Sequence, residues 1–190
     1  EVHGDGETHY YHQGPVFEGD PWDPEETQNL KDKGAVKGTA VRDLCDLVGG
    51  MSEEDEVMFV AVDGWHTKFA YANIYEPQDA QGIIALCWFN GSDSEEGERY
   101  GSGYPANNAY SSALQIVFMS SQTNPEGKHV FGNTDMKVAL PQEKYQYFFE
   151  GEYASTNGLS GKWISEIRIY GGGVPANEGT PVVPTDAQRS

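Results

Sequence analysis

The chain has 190 residues, 30 of them acidic and 12 of them Lys or Arg, so its formal net charge is −18 at pH 7. This charge repels phosphates and anionic headgroups, which excludes nucleic acid as an expected partner. Direct membrane insertion is excluded as well, because no run of about 18 apolar residues occurs. The length fits one domain with extended ends.

Acidity of this degree is typical of the surfaces of exported and salt-adapted proteins. The chain begins with Glu1 rather than Met, as a mature exported protein would after removal of its signal peptide. We therefore expect a secreted protein that is extracellular or attached to the cell surface.

Residues 1–33 are polar and rich in Gly and Pro, and one stretch within them, THYYHQGPVF, has β-strand character. We interpret 1–33 as an arm that leads into a single globular domain at 34–171. The strand of the arm would pair with the sheet edge of a neighbouring copy. Four apolar and aromatic residues of the arm would then anchor self-association, namely Tyr10, Tyr11, Val16 and Phe17.

The segment GTAVRDLCDLVGG predicts a short amphipathic helix. Thr39 suits its N-cap and Gly49 its C-cap. Its apolar residues recur at i, i+3, i+4 and i+7, the spacing of one helical face, and are Val41, Leu44, Cys45 and Val48.

Several later segments predict β-strands. EVMFVAV and HTKFAYA flank Asp63-Gly64, a strong signal for a tight hairpin. IIALCWF is apolar throughout, which suits a strand buried on both faces. ALQIVFM follows, and then KWISEIRIY, whose alternation places one set of residues on a common face, namely Trp163, Ser165, Ile167 and Ile169.

These elements predict an α+β fold with β-rich mixed sheets and a few short helices. Pro141 would start one of the helices. Residues 172–190 have the Gly, Pro and Thr content of a linker, so we expect a tail after the domain.

Cys45 and Cys87 are the two cysteines, and no C-x-x-C or C-x-x-C-H motif is present. This removes zinc ribbons, thioredoxin-like redox chemistry and covalent c-type haem. The two residues form either one disulfide or two separate buried apolar contacts.

The segment from Val36 to Tyr170 resembles the molybdopterin-binding domain of the sulfite oxidase family. The resemblance rests on the order VKGTAVRDLCDLVGGM, VDGW, IIALCWFNG, ALQIVF, GKHVFGN and KWISEIRIY. It looks closest to the reduced versions found in secreted proteins of methanogenic archaea. The resemblance implies a mixed α+β fold, with a short helix after a Gly-bearing turn and a buried strand ending in an Asn-Gly turn.

Family enzymes bind molybdenum through one cysteine in a C-x-G-N-x-R-like segment, which this chain lacks. Cys45 lies in the predicted helix and Cys87 in the predicted buried strand, so neither matches the metal-ligating position. Only four arginines are available to hold a cofactor phosphate, Arg42, Arg99, Arg168 and Arg189. The resemblance therefore implies the fold without molybdopterin.

Three histidines near the N-terminus, His3, His9 and His12, are candidate metal ligands, because imidazole and carboxylate suit zinc, copper or nickel. His9 and His12 are three residues apart in a predicted strand, where side chains at i and i+3 point to opposite faces. This spacing favours an exposed aromatic strand over a metal or haem site. Asn90, in the sequon Asn90-Gly91-Ser92, is a candidate glycosylation site on a predicted turn.

The sequence thus favours a non-catalytic structural subunit of an extracellular assembly, such as a filament, sheath or surface layer built from copies of this chain. No cofactor is expected in that case. An extracellular module that binds a metal, a haem or a glycan is the alternative. A molybdopterin-dependent oxidoreductase that uses Cys87 as an unusual ligand is the third hypothesis.

Overall fold

Three β-sheets, one small β-hairpin and three short α-helices make up the part of the chain that the computed structural model describes, residues 1–91 and 114–176. This β-rich composition confirms the α+β class predicted from the sequence.

The first sheet is antiparallel and has the strand order β1-β4-β7-β8. Its strands are β1 Val2–His3, β4 Val36–Ala40, β7 Ile83–Asn90 and β8 Gln115–Met119. The apolar run at 83–89 is confirmed as a strand. It needs no regular polar face, because β7 lies between two partner strands and its side chains are buried or half-buried.

The second sheet has the order β12-β5-β6, with β5 Glu56–Ala61, β6 His66–Ala70 and β12 Ile164–Tyr170. The hairpin predicted at Asp63-Gly64 is confirmed: Asp63 Oδ1 accepts the Trp65 backbone N–H at 3.0 Å. The predicted face of β12 is only partly right. The register shifts between Ile164 and Glu166, so Ile164 is buried and Ser165 is exposed.

The third sheet has the order β3-β2-β9 and combines antiparallel and parallel pairing. Its strands are β2 Tyr10–Gln13, β3 Leu30–Asp32 and β9 His129–Phe131. A separate hairpin consists of β10 Phe148–Phe149 and β11 Tyr153–Ala154.

The helices are α1 Val41–Asp46, α2 Tyr71–Tyr75 and α3 Asn133–Ala139. Short 3₁₀ turns cover Glu143–Tyr145 and Thr156–Leu159. The first begins two residues after Pro141, where the sequence predicted the start of a helix. None of the described helices has the length and hydropathy needed to cross a membrane.

The helix α1 confirms the prediction that Cys45 faces the core, where it is 1% exposed. The helix is shorter than predicted. Thr39 belongs to β4, and the helix ends at Asp46, which leaves Leu47 and Val48 exposed rather than on the buried face.

An aromatic cluster joins the three sheets into one core. Phe118 of β8 lies 5.6 Å from Phe69 of β6 and 4.8 Å from Phe131 of β9, measured between ring centroids. Phe59 of β5 lies 5.6 Å from Phe69. All four side chains are fully buried, and burying each ring contributes on the order of 1.5–3 kcal/mol to the free energy of unfolding.

The two cysteines lie in different apolar clusters. Cys45 packs with Val41 and the main core, whereas Cys87 packs with Val36 and Val117. No disulfide joins them in the described structure, so of the two alternatives left by the sequence, the structure supports separate buried thiols.

The structure corrects the interpretation of residues 1–33 as an arm. Strand β2 lies in the middle of the third sheet, between β3 and β9 of the same chain. Tyr11 and Val16 are 5% and 4% exposed, so these predicted self-association residues belong to the core. Tyr10 is half-buried against the Cys87 cluster. The N-terminal segment is therefore part of the domain.

Two other sequence predictions fall at the limits of the described chain. Asn90 ends β7 and is 2% exposed, so a glycan there would require this side chain to leave the interior, while Ser92 of the sequon lies outside the described residues. Of the predicted tail 172–190, residues 172–176 are described and the rest lie outside.

His12 is the fully buried histidine of β2. Its Nε2 accepts the backbone N–H of Phe118 at 3.1 Å, and its ring packs edge-on against Phe118 and Phe131. Burial, and secondarily the charge of Lys33, lowers the pKa of His12 well below its ordinary value of 6.5. The folded protein therefore holds His12 as a neutral imidazole.

We expect His12 to contribute a loss of stability as the pH falls below 6.5, because the unfolded chain then binds a proton that folded His12 does not bind. The loss is at most about 1.4 kcal/mol per pH unit. In thermal melts between pH 7 and 5, the stability of His12→Gln relative to the wild type should therefore rise as the pH falls. An unchanged slope in His12→Gln would contradict this assignment.

Candidate functional site

A cleft with many aromatic residues lies where the loop between β2 and β3 meets the β10–β11 hairpin and the 3₁₀ turn Thr156–Leu159. It has a volume of about 250 Å³. Pockets for drug-sized ligands have volumes of roughly 300–1,000 Å³, so this one suits a single ring or a short stretch of chain. The residues that line this aromatic cleft are Pro15, Phe17, Asn29, Lys31, Trp65, Tyr147, Phe149, Ser155, Asn157, Gly158 and Ser160.

Phe17 forms one side of the cleft opening and is 59% exposed. Its ring packs edge-on against Tyr153 at 4.9 Å and against Phe149 at 5.9 Å between centroids. These contacts hold a large apolar side chain in one place while leaving much of it open to solvent. Such an exposed, positioned ring is typical of a binding surface rather than of a core.

Trp65 and Tyr147 lie directly on the backbone of two glycines. A Cβ atom at Gly161 would lie 2.0 Å from Cζ3 of Trp65, and one at Gly158 would lie 1.9 Å from Cδ1 of Tyr147. Any side chain at either position would displace a ring of the cleft. The sequence Gly158-Leu-Ser-Gly161 thus provides the surface against which both rings are fixed.

The polar lining contains one acceptor that the protein does not satisfy. Ser160 Oγ donates to the Ile116 carbonyl at 2.5 Å, and Ser155 Oγ donates to the Gln13 carbonyl at 3.2 Å. Asn157 is 9% exposed, and its buried Oδ1 has no hydrogen-bond partner in the described structure. An unpaired buried acceptor costs about 1–3 kcal/mol, so a ligand that donates to it would gain affinity.

The loop at 14–29 supplies the side of the cleft opposite the glycines. Asn29 adopts a left-handed backbone conformation with φ 50°, and its Nδ2 donates to the Pro15 carbonyl at 2.7 Å. The Gly14 N–H donates to the Asn29 carbonyl at 2.9 Å, which closes the loop. Asp23 anchors its middle by accepting hydrogen bonds from the Thr27 N–H at 2.7 Å and the Gln28 N–H at 2.9 Å.

The same loop contacts α3 through two carboxyl groups, those of Glu26 and Asp135. The pKa of Glu26 is raised to about 9, mainly by burial and secondly by hydrogen bonding to Asp135. Burial also raises the pKa of Asp135, whose Oδ2 accepts the Gly132 N–H at 3.1 Å. The Glu26 carboxyl is therefore protonated at neutral pH, and its hydrogen bond with Asp135 joins the loop to the helix.

Two further depressions adjoin the cleft. A small cavity of about 30 Å³ shares Trp65, Tyr147 and Gly158 with it and is also lined by Lys144. On the other side, an open depression of about 440 Å³ shares Pro15, Phe17 and Asn29. The aromatic cleft is thus the middle part of a longer groove.

The structure does not bring the three predicted metal ligands together. His9 Nδ1 lies 2.9 Å from Oδ2 of buried Asp32, and His12 Nε2 is occupied by the Phe118 N–H. His3 lies in β1 of the first sheet, whereas His12 lies in β2 of the third sheet and His9 comes just before that strand. The prediction of a site formed by His3, His9 and His12 is therefore wrong, because each imidazole serves a separate part of the fold.

His3 does approach two carboxylates. Ligand atoms of His3, Glu1 and Asp43 lie within 4.8 Å of one another. Among the described residues, this is the group of metal-ligating side chains close enough to hold one ion. Asp43 already lies 3.0 Å from the Glu1 nitrogen and 3.6 Å from Arg42 Nε, and the Glu1 side chain is 72% exposed. These existing ion pairs make the group a weaker candidate site than the aromatic cleft.

The described residues do not fit a molybdopterin cofactor. Burial raises the pKa of Cys45 to about 11, which keeps it a thiol rather than the thiolate that a metal needs. Cys87 is 0% exposed in its own apolar cluster, and neither cysteine lines the cleft or its two adjoining depressions. Arg168 is engaged by Glu166 at 2.7 Å. We derive no chemistry through this cofactor.

Sequence reasoning found one residue of the cleft and missed the others. The sequence indicates Phe17, but as a residue of self-association rather than of a cleft. Trp65 follows the predicted Asp63-Gly64 turn. Gly158 and Gly161 lie three residues apart outside any predicted element, a pattern that can indicate close packing against the backbone. No pattern in the sequence indicates that Asn157 belongs to a site.

Comparisons of the chain with protein-family models, with curated proteins and with solved structures found no match. The resemblance to the sulfite oxidase family therefore stays a prediction, and the site has to be interpreted from its own geometry.

Gly158→Ala should destabilise the protein, because the new methyl group must displace the Tyr147 ring. Overpacking of this kind costs about 1–3 kcal/mol, measurable by urea unfolding. Gly171→Ala is the matched control: its nearest contact would be 3.9 Å away, and its effect should stay within about 0.5 kcal/mol. Equal stabilities of the two variants would contradict the packing described above.

Glu26→Gln should stabilise the protein at high pH. The raised pKa of Glu26 means that its contribution is fully present below pH 4.5 and is lost as the pH rises toward about 9. An amide removes this dependence and can still donate to Asp135. We expect the melting temperature at pH 8.5 to rise by about 2–4 °C, which corresponds to roughly 1 kcal/mol for a chain of this size.

The difference between Glu26→Gln and the wild type should be smallest near pH 4.5 and below, where the unfolded chain binds the Glu26 proton that the folded chain already holds. Glu25→Gln, at an exposed neighbouring position, should melt like the wild type at both pH values. A Glu26→Gln gain that is the same at pH 4.5 and 8.5 would show that the fold does not raise the pKa of Glu26.

Proposed function

We propose that this protein is a non-catalytic binding domain, extracellular in location, whose aromatic cleft holds a neutral ring-bearing ligand such as one residue of a glycan. The observation that carries the proposal is that Asn157, whose buried Oδ1 has no hydrogen-bond partner in the described structure, lines the same cleft as Trp65 and Tyr147. A sugar offers both a hydroxyl that donates to such an oxygen and an apolar face that packs on aromatic rings.

The charges around the cleft favour a neutral ligand. The net charge of −18 opposes anions, while Lys31 in the lining opposes a cation held against the aromatic rings. The remaining polar groups of the lining are amides, hydroxyls and the Gly158 backbone. Groups of this kind suit hydroxyl-bearing ligands.

The lining supports binding rather than catalysis. Its described residues include no carboxylate, thiol or imidazole, the groups that most often act as general acids, bases or nucleophiles. The carboxyl pair of Glu26 and Asp135 lies outside this lining and joins the loop to α3.

Self-assembly into an extracellular structure is the second candidate function, and one observation favours it. Phe17 is a large apolar residue that is 59% exposed, and the open depression beside it continues the apolar surface. Contacts between copies would then form through this surface, since β2 is already paired on both sides within its own chain.

We expect weak, specific binding of neutral sugars, measurable by NMR titration of the full chain with glucose, mannose, galactose and N-acetylglucosamine and their disaccharides. Phe17→Ala should weaken binding about fivefold, since an aromatic contact contributes about 1 kcal/mol. Val138→Ala, at a position of equal exposure (60%) on α3, is the control and should bind normally.

Asn157→Leu tests the role of the unpaired Asn157 oxygen by two measurements, the free energy of unfolding and the affinity for sugars. Removing an unpaired buried acceptor should leave the free energy of unfolding unchanged or increase it, while sugar binding should be lost. Loss of stability together with binding would indicate that Asn157 has a structural role. Absence of binding for every sugar, with the wild type folded, would overturn the proposal.

A further inference from the structure

The end of the described chain lies beside the groove. The Val174 N–H donates to Oε1 of Glu56 at 2.9 Å, and Oε2 of Glu56 lies 3.3 Å from Nζ of Lys144. Lys144 lines the small cavity that shares Trp65 and Tyr147 with the aromatic cleft. Whatever follows Val174 in the chain therefore begins at one end of this groove.

The sequence that follows contains a segment suited to an aromatic groove. Residues 180–185 read TPVVPT, with Pro181 and Pro184 in the P-x-x-P spacing. Such segments favour the polyproline II conformation, which costs little entropy to fix, and aromatic-lined grooves recognise them. The segment has no charged residue, which matches a cleft whose described lining has one cationic side chain and no carboxylate.

The length of chain after Val174 sets how far the segment can reach. Pro181 lies seven residues after Val174, and seven residues in polyproline II extend about 22 Å. A connection this short gives an effective concentration in the millimolar range for binding within one molecule. Docking within the chain is therefore favoured over docking between two chains at ordinary protein concentrations.

We propose that residues 180–185 dock in the aromatic cleft of their own molecule, with the prolines against Phe17, Trp65 and Tyr147. The docked segment provides a donor for Asn157 Oδ1 from its backbone N–H groups or threonine hydroxyls. An external ligand of the cleft must displace the segment, which makes it an internal competitor. This inference uses the same cleft as the proposed function but does not depend on a sugar ligand.

The test uses a fluorescently labelled peptide of residues 177–190 as the probe. It is titrated by anisotropy into the full wild-type chain and into the full-chain double variant Pro181→Ala/Pro184→Ala. The double variant should bind the peptide at least about tenfold more tightly, because its own segment no longer competes. Pro175→Ala, which changes a proline outside the segment, should behave like the wild type.

Adding Phe17→Ala to the double variant should abolish this binding, whereas adding Val138→Ala should not. A peptide that fails to bind the double variant, or that binds it no more tightly than the wild type, overturns the inference. Wild-type oligomers that grow with concentration in light scattering and vanish in the double variant would place the contact between molecules and overturn the docking within one chain. Peptide binding without sugar binding overturns only the proposed function.

Discussion

The burial of one polar side chain, Gln13, is the constraint on which the domain and its cleft depend. A buried amide must have all its hydrogen bonds or it is strongly destabilising. Its Nε2 donates to Asp23 Oδ2 at 3.0 Å, and its Oε1 accepts the Asn133 N–H at 2.9 Å. Its backbone N–H donates to Thr156 Oγ1 at 2.8 Å, and its carbonyl accepts the Ser155 hydroxyl. Gln13 thus joins three segments: its side chain bonds to Asp23 and Asn133, and its backbone bonds to Ser155 and Thr156.

This network explains why a cleft exists at this place. One side of the cleft belongs to the 14–29 loop, which Asp23 organises, and the other belongs to the 155–160 segment, which starts at Ser155 and Thr156. Both are hydrogen-bonded to Gln13, which fixes their separation, and the packing of Phe17 on Phe149 and Tyr153 adds to it. The cleft can therefore stay open without loss of packing, which is the condition for a preformed binding site.

One buried and one half-buried ionisable group show how an acidic protein handles charge away from water. His12 is kept as a neutral imidazole, and Glu26, beside Asp135, is kept as a protonated carboxyl. In both cases the fold stabilises the uncharged form of the group, because its surroundings solvate a charge less well than water does. The remaining acidity lies largely on the surface, where it limits the choice of ligand for a cleft that has a single lysine in its described lining.

The sequence by itself determined those elements whose signals are local. The Asp63-Gly64 hairpin, the apolar strand β7 and the inward orientation of Cys45 followed from turn chemistry and periodicity, because neighbouring residues decide them. Only the tertiary structure decided that residues 1–33 belong to the core, that the three histidines lie apart and that Phe17 and Asn157 share a cleft. These features depend on contacts across more than 100 positions, such as Gln13 with Thr156. A polar residue such as Gln13 carries no pattern that reveals such a partner in advance, since the same side chain is usually satisfied by water.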